Sequence, residues 1–92
     1  MIPKSFRLMG NTIRVKIIPE KDWTDDDAVG LWNSQTLTIH VRSGMADQRM
    51  QQAFCHELVH AILDAFAHPL SRDEAFVDTF AGLLHQAWTT VR

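Results

Sequence analysis

The hydrophobic period of the chain changes once, near Asp47. Upstream, Ile13, Val15 and Ile17 alternate with Arg14 and Lys16, the period of two that turns one face of a strand to a core and the other to water. Ser5 to Met9 is a second short run of strand character, and Gly10-Asn11, a dipeptide that tolerates positive φ, joins the two as a hairpin. Pro19 ends the second strand. Gly30 to Asn33 and Thr36 to Val41 read as another strand pair, joined at Ser34-Gln35, with Leu37, Ile39 and Val41 on one face and Thr36, Thr38 and His40 on the other. These runs predict a small antiparallel sheet of three or four strands. Between the pairs, Glu20 to Asp27 is a charged, solvated loop, and its run Asp25-Asp26-Asp27 is assigned no chemistry.

Downstream the spacing becomes three and four. Met50, Phe54, Leu58, Ala61, Ile62 and Ala65 trace one helical stripe, with Asp47 as a capping residue and the helix running to about Ala67. Pro69, which lacks an amide proton, lies just past its end. Ser71-Arg72-Asp73-Glu74 has the form of a capping box, opening a second helix to about Trp88 whose buried stripe is Phe76, Phe80, Leu83, Leu84 and Ala87. Strands first and helices afterwards predict an α+β fold, a sheet packed on two C-terminal helices, with residues 1–92 as one domain.

Composition narrows the partners and the chemistry. Hydrophobic residues at 46% and charged residues at 22% are ordinary for a globular chain. Nine Lys plus Arg against eleven Asp plus Glu give a net charge of −2, so neither nucleic acid nor anionic membrane is an expected partner. Lys4, Arg7, Arg14 and Lys16 interrupt the N-terminal region, which excludes the apolar core of a signal peptide, and no run approaches the ~18 apolar residues of a membrane span. A soluble, cytoplasmic protein is the expectation. Cys55 is the single cysteine, so any metal must be held by His and carboxylates.

Within the first helix the chain reads His56-Glu57-Leu58-Val59-His60. Residues four apart face the same way about one 5.4 Å pitch apart, so both imidazoles can reach one tetrahedral Zn2+. Glu57 is displaced by about 100° on the helix. Its carboxylate can take a proton from water at the metal and pass it to a leaving amine. With five His and three Glu in 92 residues, chance produces this pattern in roughly one such chain in a hundred. A third ligand on the next helix sharpens the reading, and Glu74, fourteen residues beyond His60, is suitably placed once the intervening turn folds that helix back. Asp78, one turn on, can accept a proton from the outer nitrogen of a ligating imidazole. Taken singly, Glu74 is also a capping residue and Asp78 a plain surface carboxylate.

Together these segments resemble the ImmA/IrrE-like small zinc metallopeptidases, a branch of the gluzincins. The resemblance spans about sixty residues: Gly30, the strand Thr36 to Val41, Phe54 shortly before His56 to His60, and Glu74-Ala75-Phe76-Val77-Asp78-Thr79-Phe80-Ala81 in place of a Glu-x-x-Ala-Asn/Asp-x-Phe-Ala motif. It implies a zincin-like fold, zinc held by His56, His60 and Glu74, Glu57 as general base, Asp78 supporting the metal ligands, and an extended peptide or protein substrate lying along strand 36–41. Val77 departs from the motif's small Ala, and the chain has no tyrosine to donate to an oxyanion, as some gluzincins do. A histidine would substitute: His68 is favoured because its turn borders the expected cleft, with His40 and His85 as alternatives. A second class of function keeps the same ligands but not the turnover: a zinc-stabilised protein-interaction module. Cys55 reads as a small buried residue, and Trp23, Trp32 and Trp88 as core or edge anchors.

Overall fold

The structure is a computed structural model that describes residues 2–91. It is α+β: strands β1 (Ser5–Leu8), β2 (Asn11–Ile18), β3 (Gly30–Asn33) and β4 (Thr38–Arg42) precede helices α1 (Asp47–Ala65) and α2 (Glu74–Thr89). The hairpin turn falls on Met9 and Gly10, at φ 51° and 82°, one residue earlier than the dipeptide signal suggested. Positive φ at both central residues is what a two-residue hairpin of this hand requires.

The sheet is mixed, with strand order β1-β2-β4-β3, which corrects the antiparallel expectation. β1/β2 and β3/β4 are antiparallel, but β2 and β4 run parallel, Val15 beside Ile39 and Ile17 beside Val41. Each hairpin is encoded by its own turn. How two hairpins dock is not, and here the connection after β2 crosses to the far edge before β4 returns between its neighbours. β4 is therefore interior, and β3 is the free edge next to it. β4 also starts later than predicted: the Asn33 side chain accepts the Gln35 and Thr36 N–H groups at 2.9 and 3.1 Å, and Leu37 takes a left-handed φ of 54°. That turn consumes the first two residues of the expected strand.

α1 covers the sheet face that carries Ile13, Ile39 and Val41, with Ala53 and Ala61 as its buried contacts and Phe6, Leu8, Trp32 and Phe54 closing the periphery. Phe6 and Phe54 meet edge to face, centroids 6.1 Å apart. A second, smaller core of Val59, Val77 and Ala81 joins α1 to α2. α1 is thus buried on two sides, between sheet and α2.

Helix ends differ from the sequence reading in instructive ways. Ala46, not Asp47, holds the N-cap position of α1, and the helix ends at Ala65. Ala67, at φ 55°, takes the position usually given to glycine, while His68 N–H bonds Leu63 O at 2.8 Å and Ala67 N–H bonds Asp64 O at 3.0 Å. Ser71 does not cap α2: it is buried in a 3-10 turn, Pro69–Arg72, and Asp73 caps instead, accepting the Phe76 N–H at 3.0 Å. The buried stripe of α2 is Val77, Ala81 and His85. Phe80, Leu83 and Leu84, expected in the core, are 48, 61 and 37% exposed, because α2 meets α1 through its small-residue face and its bulky face is turned outward. Trp88, read as an anchor, is exposed as well. No helix among the described residues is long and apolar enough to cross a membrane.

Candidate metal centre

α1 and α2 bring three donors to one point. His56 Nε2 lies 3.1 Å from Glu74 Oε1, and His60 Nε2 lies 3.1 Å from Glu74 Oε2. One ligand atom from each of the three residues falls within 4.8 Å of the others. Donors about 2.0–2.2 Å from a tetrahedral ion are separated by about 3.3–3.6 Å, so only small side-chain adjustments are needed to hold one. Two imidazoles and a carboxylate are a donor set for a first-row divalent metal, and the three residues can bind one.

Local structure explains the convergence. The four-residue spacing stacks the imidazoles, with ring centroids 5.1 Å apart. The Schellman ending of α1 and the Pro69–Arg72 turn reverse the chain within a few residues, and Ser71 ties the turn back by donating from Oγ to the His60 carbonyl at 3.3 Å. Asp73 then starts α2 so that Glu74 is its first residue, level with His60. Asp78, one turn along, has Oδ1 3.5 Å from His56 Nδ1. A carboxylate on that side favours the tautomer with the proton on Nδ1, leaving the Nε2 lone pair for a metal.

Glu57 is buried between these donors and the edge strand, against Gly30. Burial pushes its carboxyl above the usual carboxylate range; the nearby Glu74 adds to this, while His56, His60 and the Trp32 backbone N–H act against it. Arg42 N–H donates to Val29 O at 3.0 Å, and antiparallel alternation from that bond directs the backbone groups of Leu31 and Asn33 to β4 and those of Gly30 and Trp32 outward. β3 and the metal-site residues line one open cleft of about 1370 Å³.

Comparison with protein-family models, with curated proteins and with solved structures finds no match. The geometry stands by itself.

The remaining candidates separate clearly. His68 lines the cleft; its Nδ1 accepts the Leu70 N–H at 3.1 Å, which leaves Nε2 as the protonated nitrogen of the neutral ring. His40 lies on the sheet face away from α1, and His85 is buried within the helical layer, its Nε2 without a hydrogen-bond partner. Neither lines the cleft, so of the three histidines weighed as oxyanion donors only His68 borders it. Cys55 is buried and is not one of the clustered donors; burial pushes its thiol up. Gly30, which the resemblance included, and Trp32, read as a core or edge anchor, have roles at the site that the sequence reading did not assign. Trp32 Nε1 donates to Asp64 Oδ2 at 2.6 Å, pinning β3 to α1, and Gly30 makes room for Glu57. A pairing 32 residues apart leaves no local signal in sequence.

Proposed function

We propose that this protein is a zinc-dependent peptidase, a minimal gluzincin of the ImmA/IrrE type. The observation that carries the reading is the meeting of His56, His60 and Glu74 with a buried carboxylate, Glu57, between them and a free strand edge. His56, His60 and Glu74 would hold the zinc, and Asp78 would orient His56. Zinc with one open position supplies a Lewis acid for a scissile carbonyl and makes water more acidic. Glu57 receives the proton that water loses and returns it to the departing amine nitrogen, a role that its raised affinity for protons suits. His68, through Nε2–H, is the residue proposed to donate to the developing oxyanion.

The resemblance implied an extended peptide along strand 36–41, and most of that strand is β4, which has neighbours on both sides in this sheet. Because β4 is interior, an extended peptide would pair with β3, using the outward backbone groups of Gly30 and the Trp32 carbonyl, since the Trp32 N–H faces Glu57. A second reading, a zinc-stabilised interaction module without turnover, is favoured by the lack of any tyrosine in the chain.

A peptide-library cleavage assay on zinc-loaded protein, read by mass spectrometry, separates the two. Glu57→Gln should retain stoichiometric zinc by elemental analysis and lose about 10²-fold or more in hydrolysis. Equal turnover in the variant removes Glu57 from the mechanism. Zinc without any cleavage by the parent protein leaves the interaction module.

A further inference from the structure

Net charge conceals how the charges are distributed. Arg7, Arg14, Lys16 and Arg42 are the charged residues of the four strands, and no strand contains Asp or Glu. The acidic residues lie in the loop after β2 (Glu20, Asp22 and Asp25 to Asp27) and in the helical half. Strand alternation sorts the sheet further. Phe6, Leu8, Ile13, Ile39 and Val41 pack toward α1, so Arg7, Arg14, Lys16, His40 and Arg42 share the opposite face. Arg14 pairs with Thr38, Lys16 with His40 and Ile18 with Arg42 across the parallel β2/β4 junction.

Arg14 and Lys16 on that face are exposed, whereas Thr38 is buried and His40 and Arg42 are partly so. Among the described residues none of these Arg or Lys side chains has an ion-pair partner; Arg7 donates to the Gly10 carbonyl at 3.1 Å, and Arg42 Nε is buried with no acceptor. The helical carboxylates lie on the other side of the sheet, and the acidic residue nearest the face is Glu20, which follows Ile18 and reaches the backbone at Gly44, two residues past Arg42. Parallel strand pairs are moreover usually covered on both sides.

We propose that this open sheet face, centred on Arg14 and Lys16 and flanked by Arg7, His40 and Arg42, docks an acidic segment of a partner protein. Charge complementarity calls for an anion, and three features select a polypeptide over a nucleic acid. The face has no Trp, Tyr or Phe on which a base could stack, because Trp32 and Phe6 point to α1, and His40 is its one aromatic ring among the strand residues. Its few cations fall short of the roughly 6 to 10 phosphate contacts of a typical nucleic-acid site. Leu31, 51% exposed opposite His40, and Ile18 beside Arg42 add apolar contacts at the margins, which suit side chains better than a phosphate backbone. The surface meets the metal cleft at Leu31, but none of its cations lines the cleft, and it does not depend on the cleft's chemistry.

The test uses the full chain with a fluorescent peptide of Glu-Glu-Leu repeats, and single- and double-stranded DNA oligonucleotides of equal charge as competitors, followed by anisotropy at low and near-physiological salt. The peptide should bind, the oligonucleotides about tenfold more weakly, and R14E/K16E should weaken the peptide about tenfold or more. K21E/R49E, the same change in net charge placed off this face, should alter binding less than about twofold. Thermal stability and metal uptake of R14E/K16E report that it is folded; if it is not, R14Q/K16Q takes its place with the same direction of effect. Absence of peptide binding at low salt, equal loss in both charge-changed pairs, or tighter binding of an oligonucleotide overturns the proposal.

Discussion

A Cβ atom placed on Gly30 would lie 3.0 Å from both Cγ and Oε2 of Glu57 and 3.4 Å from the Ala53 carbonyl. The edge strand is bare where the buried carboxylate passes it. Gly30→Ala should therefore cost about 1–3 kcal/mol as overpacking, read from the urea midpoint, and should displace Glu57. Gly82→Ala is the control: its Cβ meets nothing within 4 Å on α2, so it should stabilise by about 0.5–1 kcal/mol. A Gly30→Ala protein as stable as the parent would mean that Glu57 moves aside freely.

Glu57 also makes stability depend on pH. Its native pKa lies above the unfolded one, so over the interval between them the folded chain keeps a proton that the unfolded chain has lost. This contribution is complete below the ordinary carboxyl range and is lost as pH rises through the raised native value. In metal-free protein, Glu57→Gln should be more stable than the parent at neutral pH, and the advantage should shrink toward about pH 4. Parallel stability curves for the two proteins across that range would show that the carboxyl is not perturbed.

Metal should act as a staple between α1 and α2. At about 100 times its dissociation constant, one bound ion adds about 2.7 kcal/mol, which for a domain of this size is about 10–20 °C in Tm. His60→Ala should abolish the increase, since it removes a donor that is nearly buried. A Tm unaffected by zinc or chelator in both proteins would rule out metal binding at this site.

Asp73, rather than Ser71, should control the start of α2. Asp73→Ala should cost about 1 kcal/mol, near 4–8 °C in Tm, while Asp73→Asn retains most of the cap. An unchanged melting temperature for Asp73→Ala would place the helix start elsewhere.

Local chemistry makes much of this molecule legible in its sequence alone. The alternation around Ile13 to Ile17, the shift to helical spacing after Asp47 and the four-residue step from His56 to His60 depend on near neighbours, and periodicity carries that information. The helical step alone puts two imidazoles on one side. What only the tertiary structure decided involves distant partners. The parallel junction of β2 and β4 made β3 the edge, the small-residue face of α2 was buried while Phe80 and Leu83 stayed outside, and Trp32 bonded to Asp64. Each is a choice among packings with similar local propensities, settled by which surfaces fit when the elements meet.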